Sequence, residues 1–99
     1  MLESKIEKKL VSMVRKHGGR CLKFVSPGNA GVPDRIVMMP LGKLHFVELK
    51  APGEKPRPLQ IAVHEEFEAL GFKVEVIDTL EGVEAFVSRL DEEQHSYGV

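Results

Sequence analysis

Residues 35–39 and 44–50 are two short β-forming runs, and Pro40-Leu41-Gly42 turns the chain between them. Pro suits the first central position of a type I turn, and Gly suits the left-handed residue that closes a three-residue hairpin loop. Such a loop pairs Met39 with Lys43, and counting outward puts Asp34 directly across from Glu48. Facing residues share one side of a sheet, with Cβ atoms roughly 4.5–5.5 Å apart. A loop one residue longer would oppose Asp34 to Leu49 and turn its carboxylate to the other side. Alternation also sends Leu44, Phe46, Glu48 and Lys50 to one face, and His45, Val47 and Leu49 to the other. Two acids and a lysine with apolar residues behind them can hold a hard cation and a reactive water.

The rest of the chain supplies a sheet and its cover. Leu2, Ile6, Leu10, Met13 and Val14 form one stripe of a helix over residues 2–17, which Gly18-Gly19 ends. Residues 20–26 read as a strand and 26–33 as a turn-rich loop. A second proline-rich loop spans residues 51–57. Pro58 then opens a helix with Leu59, Ala62, Val63, Phe67 and Leu70 as its apolar stripe and Gly71 as its cap. Residues 72–77 alternate as a strand, and Asp78 with Glu81 resembles a capping box for a last helix bearing Leu80, Val83, Val87 and Leu90. Residues 91–99 are polar and acidic and are expected to fray. The order αβββαβα, with a late crossover, predicts an α/β (α+β) fold: a mixed four-stranded sheet flanked by helices, as a single domain over residues 1–99.

Composition narrows the function classes. A net charge of −1 gives no global pull on nucleic acid, so any such binding needs a local basic patch. One cysteine excludes an internal disulfide and fits a reducing compartment, and no run is long or apolar enough for a membrane span. A cytoplasmic, intracellular protein is expected. Paired-cysteine zinc spacing, a phosphate-binding glycine loop and G-x-S-x-G are all absent from the sequence.

Two helix-borne residues join the candidate set. Glu7 projects between Val11 and Val14, inside the apolar arc of the first helix, where a carboxylate needs a cation or a basic partner. Glu3 falls in the same arc one turn earlier, where a helix terminus can stay wet. Gln60 lies one turn before His64, either as a first-turn residue facing solvent or as an amide orienting the lysine or a phosphate. Taken singly, Asp34 and Glu48 also read as ordinary strand acids, with Lys50 paired to Glu48.

Taken together, Pro33-Asp34 with Glu48-Leu49-Lys50 resembles the signature of the PD-(D/E)XK nuclease superfamily. Residues 31–37, 46–53 and 57–60 look like its VRR-NUC branch, whose small stand-alone members occur in bacteriophages. The similarity runs from about residue 6 to residue 78. It implies that Asp34 and Glu48 bind Mg²⁺ or Mn²⁺, assisted by the Leu49 carbonyl, and that Lys50 is catalytic. Glu7 and Gln60 fall at the family's helix-borne accessory positions, Glu7 as a further candidate metal ligand. Such cations prefer oxygen ligands and keep several waters, so this donor set suffices. Lys23, Ser26, Arg35, Lys55 and Arg57 are candidate DNA contacts, of the backbone-reading kind. The expected function is a metal-dependent DNA endonuclease, acting on branched DNA such as four-way (Holliday) junctions as a homodimer. A non-catalytic nuclease-fold binding module and a nuclease acting on RNA are the alternatives.

Overall fold

A computed structural model of the protein describes residues 2–97. Its elements are α1 (Glu3–Lys16), β1 (Arg20–Lys23), β2 (Arg35–Met39), a 3-10 turn (Pro40–Gly42), β3 (Lys43–Leu49), α2 (Pro58–Ala69), β4 (Val74–Ile77) and α3 (Leu80–Tyr97). The sheet runs β1-β2-β3-β4, antiparallel throughout except for the parallel β3–β4 pair that α2 connects. This is the mixed αβββαβα architecture that the hydrophobic periodicity predicts. Among the described residues, no helix is long and apolar enough to cross a membrane.

The hairpin keeps the predicted register, with Met39 opposite Lys43 and Arg35 opposite Val47. Its turn differs from expectation in one residue. Leu41 as well as Gly42 is left-handed, with φ of 67° and 72° respectively. Leu41 pays that conformational cost while its side chain stays exposed.

One face of the sheet is the core. Val37, Met39, Val47, Leu49 and Ile77 pack against Ile6, Leu10 and Val14 of α1 and Val83, Phe86, Val87 and Leu90 of α3. Each such side chain, fully buried, contributes about 1.5–3 kcal/mol, so this face dominates stability. Gly19 is what lets α1 close onto the sheet. A Cβ there would stand 2.6 Å from the Met38 carbonyl oxygen and collide with Met39 Sδ. Backbone cannot give way cheaply, so Gly19→Ala is expected to cost about 2 kcal/mol. A melting curve would then show Tm lower by about 10 °C.

One expectation for the last helix is corrected. Its cap is Thr79, whose Oγ1 accepts from the Gly82 N–H at 2.9 Å, while Asp78 instead accepts from the Gly53 N–H at 3.2 Å. The helix runs to Tyr97, through much of the segment expected to fray. Long-range contacts hold it: His17 Nδ1 lies 3.2 Å from Asp91 Oδ1, and Gln94 donates to the Pro40 carbonyl at 3.0 Å. The rest of the expected frayed tail, residues 98–99, lies outside the described residues.

The second helix is turned from its expected stripe. Leu59 and Leu70 are exposed, and only His64 is buried. Gln60, Val63 and Phe67 are half-buried alongside it. An aromatic cluster fixes this face: Phe46 meets Phe67 edge-on at 4.9 Å and Phe72 at 5.8 Å, with Phe24 at 5.6 Å. The side of α2 toward the sheet is therefore half aromatic and half polar.

Candidate active site

Strand pairing sets the site. The β1–β2 ladder ends with the Phe24 N–H donating to the Asp34 carbonyl at 2.8 Å, which pins the Asp34 backbone. The Asp34 side chain then continues the β2–β3 ladder, its Oδ2 accepting from the Leu49 N–H at 2.8 Å. By register Asp34 stands across from Glu48, on the sheet face that α2 covers.

Glu48 is only 1% exposed. Its Oε2 accepts from Gln60 Nε2 at 3.0 Å and faces Lys50 Nζ at 3.3 Å. Gln60 Oε1 accepts from Lys50 Nζ and from the Arg57 N–H, both at 2.9 Å. A single amide thus satisfies the first turn of α2 and holds an acid and an amine in fixed relation. Its orientation follows from the donors around it, because an ammonium and an N–H both require the carbonyl end.

Electrostatics mark the acid. Burial, then the charge of Asp34, push the Glu48 carboxyl up to about 7, against the pull of Lys50. Its Oε1 is buried without a hydrogen-bond partner. A buried acid with an unsatisfied oxygen beside a second acid is the environment that a divalent cation would relieve. Among the described residues no three acidic, His or Cys side chains form an enclosed cluster. The Asp34 and Glu48 carboxylates are hard oxygen donors of the kind that a cation such as Mg²⁺ takes while keeping most of its waters.

Glu7 and Arg35 lie elsewhere. Adjacent strand residues point to opposite faces, so Arg35 leaves Asp34 behind and turns to the α1 side. There its guanidinium pairs with Glu7 Oε2 at 2.8 Å, and its own exposure is 9%. The basic partner that Glu7 needs is thus Arg35, and neither side chain is brought to the Asp34–Glu48 pair. Both line a cavity of about 340 Å³ with Lys8, Val11, Ser12 and Arg15. Lys23, Lys55 and Arg57 are exposed on the loops and strand end flanking the site. Ser26 is half-buried and accepts from Asn29 Nδ2 at 2.9 Å.

Glu3 is closer to the site in charge than the sequence reading allowed. Local desolvation and then the Asp34 carboxylate raise the pKa of this exposed residue, and Glu3 in turn contributes to the upward shift of Glu48. Its place one turn before Glu7 on the same arc was the available signal. His64 joins the site too, since it lies one turn after Gln60 and therefore on the same helix face.

No family model matches the chain. Over 77 residues it is 60% identical to "Putative nuclease p44" of Acyrthosiphon pisum secondary endosymbiont phage 1, covering 78% of this chain and 83% of that protein. Its fold is similar to a solved structure described as a VRR_NUC domain, with a TM-score of 0.82 and 31% identity. That match covers 87% of this chain and 94% of the other.

Proposed function

Since the chain belongs to the VRR-NUC family of nucleases, we propose that it is a divalent-metal-dependent endonuclease that hydrolyses phosphodiester bonds in DNA. The observation that carries this reading is Glu48, an acid 1% exposed and held by Lys50 and Gln60 across from a second acid. A purely structural position gains nothing from such crowding, which costs stability.

Asp34, Glu48 and the Leu49 carbonyl would hold Mg²⁺ or Mn²⁺, which supplies Lewis-acid polarisation of the scissile phosphate when bound. Lys50 offers its ammonium to the phosphoryl charge and can orient the attacking water. Gln60 positions Lys50 through its carbonyl and Glu48 through its amide. Hydrolysis adds the oxygen of water to phosphorus and breaks the bond to the leaving oxygen, which takes up one proton of that water while the other is released to solvent. Glu7 pairs with Arg35, behind the strand that carries Asp34.

Lys23, Lys55 and Arg57 are the proposed backbone contacts, with Ser26 shaping the loop between them. Arg57→Ala should weaken binding about equally across DNA sequences. The slope of log affinity against log salt should fall by about 1 in a titration series.

Branched DNA such as a four-way junction is the proposed substrate, cut by a homodimer with one site per strand. Exposed Leu70, Phe72 and Val76 leave apolar surface for a second copy beside the edge strand β4. Light scattering on the DNA complex tests this, and a mass with one protein copy would reject the dimer.

The deciding experiment incubates labelled junction, duplex, single-stranded DNA and RNA with Mg²⁺ or Mn²⁺. Wild type and Lys50→Ala are compared. Metal-dependent cutting of DNA that the mutant loses supports the proposal. Binding without cutting in either metal would identify a binding module, and cutting confined to RNA would reassign the substrate.

A further inference from the structure

His64 is a buried polar side chain on the α2 side of the sheet that this scheme leaves idle. It is 7% exposed, and its Nε2 has no hydrogen-bond partner. The group it faces is Glu48 Oε1, 3.6 Å away and equally unsatisfied. Two buried, complementary orphans facing each other just beyond bonding distance are rare in folded proteins, where nearly all such groups are paired.

The two oxygens of Glu48 are thus treated differently. Gln60 and Lys50 hold Oε2, while the imidazole stands over Oε1. Rotation of the carboxylate about its last bond would disturb both sides together. We infer that His64 is a positioning residue, whose Nε2–H donates to Glu48 Oε1 and fixes the plane of the carboxylate that receives the cation. This inference rests on the metal-dependent reading above. Carboxylates that bind metals are commonly held by such outer hydrogen bonds, whose loss costs about 10–100-fold in metal affinity.

The test compares wild type with His64→Leu, His64→Gln and His64→Asn. Leu fills similar volume without a donor, while the Gln amide nitrogen can occupy the place of Nε2 and that of Asn falls short. Mn²⁺ binding is measured by calorimetry on the DNA-free protein, alongside the Mg²⁺ concentration for half-maximal cleavage. Melting curves without metal check folding, and if Leu fails to fold, the Gln and Asn pair carries the comparison. The expected result is about tenfold weaker Mn²⁺ binding for Leu and Asn, with Gln within about threefold of wild type. The Mg²⁺ requirement should rise in parallel, with kcat at saturating metal changing less. Unchanged Mn²⁺ binding in His64→Leu would overturn the assignment. Equal losses in Leu and Gln would make the ring itself a ligand and also overturn it. Wild type that binds no Mn²⁺ would bring down the metal-dependent reading, and this inference with it.

Discussion

Glu48→Gln is expected to yield a protein that is more stable than wild type and unable to cut. The sign follows from the Glu48 carboxyl, raised from 4.5 to about 7 in the folded chain. Between those values the folded state keeps a proton that the unfolded state has lost. The stabilisation from this group is therefore complete below about pH 4.5 and disappears as pH rises through 7. Wild type at pH 8 carries an ionised, buried acid whose cost is about 3 kcal/mol at most, by the size of the shift. Gln cannot ionise, and it forfeits part of the bonding to Lys50. A net gain of about 2 kcal/mol at pH 8 is the expected balance. In metal-free melts that is Tm higher by about 10 °C. The two melting temperatures should converge toward pH 4.5. Saturating Mn²⁺ should narrow the gap at pH 8, because the cation stabilises only the chain that binds it. A Glu48→Gln variant that melts below wild type at pH 8 would mean the acid serves the fold.

Lys50→Ala is the second large effect. Removing one preorganised charge from a reacting centre lowers kcat by about 10²–10³-fold. Here the loss has a second part. Lys50 is a partner that pulls the Glu48 pKa down, so its removal drives that value further up. The variant should therefore need more metal as well as turning over more slowly. Cleavage measured across a Mg²⁺ series would show a lower plateau reached at higher concentration. A plateau equal to wild type would remove Lys50 from the chemistry.

Local rules carried much of this site. The turn residues Pro40 and Gly42 fixed the hairpin register, and the register alone set Asp34 across from Glu48. Strand alternation also contained the position of Arg35, since a neighbour of Asp34 must face the other way. Its charge alone suggests a DNA contact, whereas its place on the strand buries it against Glu7. Helix α2 was less legible, because its inward residues Gln60 and His64 are polar. Hydropathy ranks them as outward, and only the partners Glu48 and Lys50, from a distant strand, reverse that ranking. The last turns of α3 were illegible for a similar reason, since their anchors His17 and Pro40 are far away in the chain. Glu7 shows the middle case: its need for a counter-charge was readable, but whether an ion or Arg35 met it was not.

The fastening of α2 has a consequence for how the enzyme could fail. Most of the buried hydrocarbon lies beneath the opposite side of the sheet, so this segment is expected to open locally before the remainder does. Lifting it would withdraw Gln60, release Lys50 and Glu48 from each other, and abolish turnover in a chain whose overall melting hardly changes. Loss of competence is then expected to precede loss of structure in this protein. Amide exchange along residues 59–69 would register the first of them earlier than any global probe.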